Sequence, residues 1–437
     1  MVGNVESSRH NLKGQPPDHA GRGYRILMIA PTSFFADYGC HVRILEEART
    51  LERLGNQVTI CTYHKGRDLP DLDIRRTFGI PWRGNYEVGS SRHKAAFDML
   101  LFERTFRAML SSRPDIIHAH LHEGALVGGL LSRLWGVPMV FDFQGSLTGE
   151  MIDHKFLSPH GRWHGFMLRL ERFIDHMAPA ILTSSAHAVD LLIDEFGVPA
   201  HRITHMPDCV NTDEFAPVID TDRRAALRQR WGIPSDRTVI VYLGLLAEYQ
   251  GTDHLLRAVA GLYSRQKNIH LLIGGYPNVD HYQNMARELG LHDAATFAGR
   301  INYEDAPAFL AAGDIAVSPK LSRTEGVGKV LNYMAMGLPT VSYDTDAGRE
   351  YLGAQGVFAR RADAADLART LEELIQDPTR RAQIGAALRE RARTHYSWDT
   401  AGRIILNTYD TLTRSRSATA LRRNLPHLRS RRTIESR

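Results

Sequence analysis

Cysteine is scarce in this chain of 437 residues, and no two cysteines form a recognisable pair. Cys40, Cys61 and Cys209 are odd in number, lie far apart and form no Cys-x-x-Cys motif. The pattern argues against a disulfide-stabilised fold and against a cysteine-based zinc site. A reducing compartment is therefore expected for this protein.

Long apolar runs and a visible secretion signal are also lacking. The first 23 residues are polar, with Pro, Gly and His among them, and we expect them to be disordered. The most apolar long stretch, residues 124–143, is interrupted by Arg133, Pro138 and Asp142. It predicts a helix followed by a strand rather than a membrane span.

A basic surface spread over the whole chain is absent as well, although the net charge is +5. Residues 414–437 hold eight Arg and one Glu, so the remainder of the chain is slightly acidic. The basic character belongs to a tail and not to a nucleic-acid-binding face, and we expect no nucleic-acid partner.

Short apolar strands alternate with amphipathic helices along the chain, six strands in the first half and five in the second. This alternation is typical of α/β folds with parallel sheets, and the length suits two domains. We predict two Rossmann-like domains facing across a cleft, where ligands sit at the carboxyl ends of the strands.

A glycine-flanked turn opens the second domain. The stretch "YLGLLAEYQG", residues 242–251, lies between an apolar strand and a helix, an arrangement typical of anion-binding turns. Between Gly244 and Gly251, however, there is no Lys or Arg, and the one charged residue is Glu248. A turn of this kind normally needs a positive charge nearby to hold a phosphate.

Several segments, in this order and spacing, resemble those of the retaining glycosyltransferases of family 4, which have the two-domain GT-B fold. The resemblance covers roughly residues 24–413 and is carried by "YGCHVRILEEARTLERLGNQVTI", "PDIIHAH", "MPDCVNTDEFAP", "YLGLLAEYQGTDHLLRA", "SPKLSRTEGVGKVLNYMAMGLPTVSYD" and the closing "YSWD" helix.

The resemblance implies a cytoplasmic enzyme that moves a sugar from a nucleotide-diphosphate sugar to a glycan or lipid-linked acceptor, with retention and without a metal or other cofactor. Motifs such as "DLD" (71–73) and "DTD" (344–346) could be taken for metal ligands, but paired acids are common in loops. The domains implied are a disordered N-terminus (1–23), an acceptor domain (24–207), a linker region (208–236), a donor domain (237–397), a helix crossing back (398–413) and a basic tail (414–437).

The resemblance also assigns site residues. His120 and Glu325 are the catalytic candidates, His120 through contact with the donor sugar near the reacting carbon. The donor-binding candidates from the resemblance are Gly39, Gly244, Gly326, Gly328 and Asn332, and the need for positive charge and hydrogen bonding at the turn adds Gln250, Lys320 and Lys329. Because alternate residues of a strand share a face, at least two of His118, His120 and His122 should point into the cleft. For His122 we favour a role in capping the following helix.

Two departures from the family pattern stand out. Leu245 and Gln250 replace the Arg and Lys of the donor turn, and Asn332 replaces the second glutamate of the Glu-x7-Glu pair. A non-catalytic binding or scaffold protein with a degenerate GT-B fold is the alternative. If the protein is active, we expect Lys329, then Lys320 or Arg323, to supply the charge, with Gln250 donating a neutral hydrogen bond.

A membrane surface is a further candidate partner. Residues 154–173 mix Lys155, Arg162, Arg169 and Arg172 with aromatic side chains, in the domain where acceptors bind in this family. Such a mixture suits the interface of an anionic bilayer and peripheral attachment to the inner membrane face. The alternative is an ordinary amphipathic helix whose aromatic side chains pack inward.

Overall fold

The structure is a computed structural model that describes residues 23–35, 39–79, 94–153, 156–321 and 328–424. Within these ranges the strands are β1 (Arg25–Ala30), β2 (Gln57–Thr62), β3 (Asp73–Arg76), β4 (Ile116–His120), β5 (Met139–Phe143), β6 (Ala180–Thr183), β7 (Ile203–His205), β8 (Thr238–Leu243), β9 (Ile269–Gly274), β10 (Ala295–Gly299), β11 (Ile315–Ser318), β12 (Thr340–Tyr343) and β13 (Val357–Ala359).

The helices cover both faces of the strands. They are α1 (Gly39–Arg53), α2 (Lys94–Ser112), α3 (Leu121–Trp135), α4 (Leu147–Asp153), α5 (His164–Asp175), α6 (Ala186–Asp190), α7 (Thr221–Arg230), α8 (Thr252–Arg265), α9 (Val279–Glu288), α10 (Ala306–Leu310), α11 (Lys329–Ala335), α12 (Asp346–Leu352), α13 (Ala364–Gln376), α14 (Pro378–His395) and α15 (Trp398–Asn424).

The strands form two separate parallel sheets. The first has the order β3-β2-β1-β4-β5-β6-β7 and the second the order β10-β9-β8-β11-β12-β13. In each sheet the strand order reverses beside the first strand, between β1 and β4 and between β8 and β11. Ligands of such sheets bind at the carboxyl ends of the strands next to this reversal. The predicted fold of two Rossmann-like α/β domains is confirmed.

The two sheets differ from the prediction at their edges. The edge strands β3 and β13 were not predicted, because "DIRR" is largely charged and "VFA" is only three residues long. At the other end of the chain, the helix predicted over residues 398–413 extends from Trp398 to Asn424.

The carboxyl edges of the two sheets are held together by contacts between the domains. The hydroxyl of Tyr303, just before α10, donates a hydrogen bond to Oε1 of Glu46 on α1, at 3.2 Å. Arg67, which follows β2, pairs with Glu304 at 2.7 Å. A cavity of about 460 Å³ lies elsewhere, at the amino ends of β1, β2 and β3. Substrates of this fold bind at the carboxyl ends of the strands, so this cavity lies at the opposite edge of the sheet from the expected site.

Candidate active site

Two buried histidines lie at the carboxyl end of β4. His118 and His120 are both fully buried, and their rings stack with centroids 4.7 Å apart and planes 11° from parallel. They share a face because alternate residues of a strand point the same way. The two rings therefore lie on one face of the sheet, and the orientation of these histidines into the cleft stays a prediction.

His120 is held by a carboxylate on the neighbouring strand. Its Nδ1 lies 3.1 Å from Oδ2 of Asp142 on β5, and the side-chain amide of Gln144 donates to the same oxygen at 2.7 Å. Burial alone would raise the pKa of Asp142, but Arg43 and His120 outweigh it and hold that pKa below its usual range. An ionised Asp142 accepts from Nδ1–H, so Nε2 of His120 is left as an acceptor. Among the described residues no group hydrogen-bonds to this Nε2.

Arg43 on α1 joins three carboxylates around this histidine. Its guanidinium binds Asp142 through two hydrogen bonds of 2.8 and 3.0 Å, and it lies 3.0 Å from Oε1 of Glu47, one helical turn along. The third partner is Asp208, at 2.8 Å. The arginine is 5 % exposed, so these interactions act in a region from which water is excluded.

Asp208 connects this network to the second domain. Its second carboxylate oxygen accepts a hydrogen bond from the hydroxyl of Tyr351 on α12, at 3.2 Å. A Cβ atom at Gly328, which precedes α11, would lie 3.9 Å from the same oxygen. The contacts from His120 through Asp142, Arg43 and Asp208 therefore reach Tyr351 of the second domain, and Asp208 lies beside Gly328, within the segment that resembles the family's donor site.

His118 and Glu47 form the other half of the buried cluster. Nδ1 of His118 lies 2.7 Å from the hydroxyl of Tyr409 on α15, and its Nε2 lies 3.6 Å from Glu47. Burial lowers the pKa of His118 well below its usual range. Burial, with Asp142 nearby, raises the pKa of Glu47 well above its usual range. Burial therefore favours the uncharged form of each group.

Among the described residues, Glu47, His118 and His120 are the group whose ligand atoms lie close enough for a metal ion, within 4.8 Å of one another. The guanidinium of Arg43 lies against Glu47 and would oppose a cation there. The acids of the two paired-acid motifs contact arginine instead, as with Asp71 to Arg49 and Asp344 to Arg349.

We predicted that His122 caps α3, and this prediction is wrong. His122 is the second residue of that helix, and its Nε2 lies 3.5 Å from Glu171 and 3.4 Å from Asp175, both on α5. Burial would lower the pKa of His122, but the two carboxylates outweigh burial and raise it. The imidazole therefore lies between α3 and the two acids of α5.

The donor-side turn follows β8, and the cation missing from it comes from another element. Nζ of Lys329, the first residue of α11, lies 2.7 Å from Oε1 of Gln250 and 3.1 Å from the hydroxyl of Tyr242. A Cβ atom at Gly244 would lie 2.7 Å from the same nitrogen. The structure thus brings Gly244, Gln250 and Lys329 together, with Gln250 accepting from the lysine rather than offering a donor in its place.

The chain after β11 runs along this turn. The backbone N–H of Leu321 donates to the carbonyl of Tyr249 at 2.9 Å. Gly251 has φ +73°, and a Cβ atom there would lie 1.9 Å from the carbonyl oxygen of Pro319, so only glycine fits. Lys320, the second-ranked cation, lies in this same segment and is 5 % exposed.

The remaining predicted residues lie in different places. Gly39 is the first residue of α1, with open space where a Cβ atom would be. Asn332 is half-buried on α11. Arg323, Glu325 and Gly326 lie outside the described residues.

Sequence reasoning missed Arg43, Glu47, Asp142 and Asp208 as site residues. One signal was available, because Arg43 and Glu47 are four residues apart on α1. Side chains at that spacing meet on one face of a helix. Their other partners lie about 100 to 165 residues along the chain, where spacing gives no information.

Two family profiles match this chain. The profile described as "Glycosyl transferase 4-like domain" matches residues 38–209, and that described as "Glycosyl transferases group 1" matches residues 223–391. Together they span most of both domains. The solved structure of sucrose-phosphate synthase from Thermosynechococcus elongatus superposes with a TM-score of 0.74 at 18 % identity, covering 90 % of this chain and all of that one.

Two curated relatives have similar sequences. The D-inositol 3-phosphate glycosyltransferase of Corynebacterium aurimucosum is 27 % identical over 412 residues, which is 91 % of this chain and 94 % of that protein. The GDP-mannose-dependent alpha-(1-6)-phosphatidylinositol monomannoside mannosyltransferase of Mycolicibacterium smegmatis is 32 % identical over 240 residues, 53 % of this chain and 62 % of that protein. These matches give the non-catalytic alternative no support. The chain belongs to the family 4 glycosyltransferases and is an enzyme of that class with the GT-B fold.

Proposed function

We propose that this enzyme transfers a sugar from a nucleotide-diphosphate sugar to a glycan or lipid-linked acceptor, at the cytoplasmic face of a membrane. The transfer retains the anomeric configuration and needs no metal ion. The similar mannosyltransferase is named as GDP-mannose-dependent and as acting on a phosphatidylinositol mannoside, which supports this donor and acceptor class.

One observation carries the proposal. Hydrogen bonds run from His120 through Asp142 and Arg43 to Asp208, which lies beside Gly328, the residue before Lys329. A histidine from one domain and an ammonium group from the other therefore belong to one connected site. A sugar linked to a diphosphate needs both, one group for its hydroxyls and one for the charge that develops on the leaving diphosphate.

The geometry gives His120 a defined task. Asp142 holds the proton on Nδ1, so Nε2 accepts a hydrogen bond from a donor-sugar hydroxyl and fixes the ring near the reacting carbon. The diphosphate binds at the Gly244 turn beside the Lys329 ammonium, which occupies the space that a side chain at Gly244 would take.

The charges around His120 support metal independence. Glu47, His118 and His120 could together offer ligand atoms to a metal ion. The Arg43 guanidinium lies against Glu47 and already supplies the positive charge that a cation would bring. A divalent ion there would also face repulsion from that guanidinium in a medium of low dielectric. Full turnover in the presence of a chelator is expected.

Donor hydrolysis and transfer, measured with a panel of UDP-, GDP- and ADP-sugars, test the proposal. We expect saturable turnover of one donor, unchanged by EDTA, with the product's anomeric configuration matching the donor's by NMR. If no donor shows turnover or saturable binding, the proposed activity is refuted. A product of inverted configuration would refute retention alone.

The membrane-facing part of the proposal rests on α5 and the residues before it. Among the described residues of this segment, Trp163, Phe166 and Phe173 are more than half exposed, so the alternative with inward-packed aromatics is wrong for them. The opposite face of the helix is buried through Glu171, Ile174 and Asp175. Among the described residues no helix is both long and apolar enough to cross a bilayer.

Exposed aromatic rings and arginines on one face suit an anionic lipid surface. The Arg162 guanidinium lies 5.3 Å from the centre of the Trp163 ring, and Arg169 and Arg172 are also exposed. The rings can enter the interface while the arginines meet lipid phosphates. This arrangement would place the enzyme beside a lipid-linked acceptor.

Co-sedimentation with vesicles tests this surface. We expect binding to phosphatidylglycerol-containing vesicles at low salt, reduced at high salt, and weak binding to phosphatidylcholine alone. The variant Trp163→Ala/Phe166→Ala should lose most of the binding to phosphatidylglycerol-containing vesicles. Phe78→Ala is the matched control, because Phe78 is also exposed and has Arg107 over its ring. Equal, negligible sedimentation with both vesicle types would remove the membrane from the proposal.

A further inference from the structure

The Lys329 ammonium occupies the space directly above the donor turn. Its Nζ lies 4.5 Å from the centre of the Tyr242 ring and within hydrogen-bond distance of the Tyr242 hydroxyl and of Gln250. The position that a Cβ atom would take at Gly244 is 2.7 Å from this nitrogen. The turn therefore has a positive charge, although its own sequence contains none.

Gln250 is the residue that directs this charge. It is 6 % exposed, in the short 3₁₀ turn Glu248–Gln250, and its amide oxygen accepts from Lys329 at 2.7 Å. The turn itself is fixed, because Gly251 packs directly on the carbonyl of Pro319. A neutral acceptor holds an ammonium in place without cancelling its charge, whereas a carboxylate would cancel it and a second ammonium would repel it.

We infer that Lys329 and Gln250 act as a pair that replaces the cation missing from the turn. Lys329 supplies the charge that binds the diphosphate of the donor, and Gln250 is the positioning residue that holds Lys329 over Gly244. This inference rests on the proposed function, since it takes a nucleoside diphosphate as the ligand.

The pair has a consequence that neither residue has alone. Introducing a lysine at position 250 adds a positive charge to the turn, yet it places two ammonium groups within hydrogen-bond distance. Gln250→Lys should therefore weaken diphosphate binding in the native chain. The same substitution should restore binding when Lys329 is absent, because a single ammonium then occupies the site from the other side.

A double-mutant cycle measures this coupling. Dissociation constants for UDP, GDP and ADP, and for the matching monophosphates, are determined by calorimetry for the native protein, Lys329→Met, Gln250→Lys and the double variant. We expect Lys329→Met to weaken the preferred diphosphate by about tenfold to a hundredfold, the value of one charge-assisted contact. Gln250→Lys should weaken it as well, and the double variant should bind within about fivefold of the native protein.

Two further variants guard against loss of folding. Gln250→Glu keeps an acceptor for Lys329 and preserves the turn, but it cancels the charge and should weaken the diphosphate by about tenfold or more. Lys267→Met is the matched control, because Lys267 also lies over a tyrosine ring, 3.9 Å from the centre of Tyr263, outside the site. It should bind as the native protein does. Thermal unfolding midpoints confirm that each variant is folded.

The outcomes separate this inference from the proposed function. If the native protein binds none of the diphosphates, the proposed function fails. If it binds one, but Lys329→Met binds equally well, or Gln250→Lys binds more tightly than the native protein, the pairing is wrong while the proposed function stands. A double variant weaker than both single variants would also overturn the pairing.

Discussion

Removing the buried positive charge of Arg43 should destabilise the protein strongly. The substitution Arg43→Met keeps much of the side-chain volume but leaves Asp142, Glu47 and Asp208 without their shared partner. Deleting one member of a buried ion pair costs about 3–5 kcal/mol, because the remaining charge is left uncompensated in a region without water. We expect a loss of that size at pH 7–8.

The loss should depend on pH in a direction fixed by Asp142. In the native protein its pKa lies below the usual range, so it contributes stability above its unfolded value of about 4. Without Arg43, burial dominates and raises that pKa above the unfolded value. The folded variant is then penalised increasingly as pH rises above about 4. The difference between native and variant should therefore be smaller at pH 5 than at pH 8.

Urea denaturation at pH 5 and pH 8, followed by circular dichroism, measures both quantities. Arg49→Met is the control, because Arg49 is on the same helix and pairs with Asp71 at 2.8 Å, with both side chains about a third or more exposed. A surface pair of this kind is worth less than about 1 kcal/mol. The reasoning is refuted if Arg43→Met and Arg49→Met lose the same free energy of unfolding. It is also refuted if the loss in Arg43→Met is the same at pH 5 and pH 8.

Three more outcomes are expected. His120→Ala should lower kcat by about a hundredfold to a thousandfold at a temperature where circular dichroism shows the variant folded, and an unchanged kcat in steady-state assays would contradict its role. Burial raises the pKa of Glu46 from 4.5 to about 7, so native stability should fall as pH rises between those values, and urea midpoints of Glu46→Gln should lack that slope. Gly251→Ala should cost at least about 1–3 kcal/mol in denaturation, since its Cβ would meet Pro319, whereas Gly39→Ala should cost far less.

The fold could be predicted from the sequence because the central strands are buried on both faces. β1 and β8 are almost continuously apolar, and such runs are recognisable without knowing their neighbours. The edge strands β3 and β13 carry no such run, since edge strands are short and partly solvated. These edge strands form because they pair with a neighbouring strand, and their own sequence does not show that pairing.

The site could be predicted only where its residues follow a strand directly. His120 was found because it ends β4, and Lys329 because it adjoins a segment with a family resemblance. Asp142 and Asp208 were not, because their roles come from Arg43, which reaches them across the sheet from α1. The fold brings such residues together from distant parts of the chain, so the sequence around each residue does not reveal its role.

The relation between Gln250 and Lys329 bears on how a missing motif residue is judged. A diphosphate is stabilised by charge at a point in space, and the turn after β8 has an ammonium at that point, supplied from α11. The missing Arg, Lys and Glu together suggested a degenerate, non-catalytic fold. The ammonium of Lys329 supplies the charge that the missing Lys of the turn would have given. The substitution of Gln for Lys in the turn is then a requirement of the relocated lysine, because a lysine at both positions would place two like charges in contact.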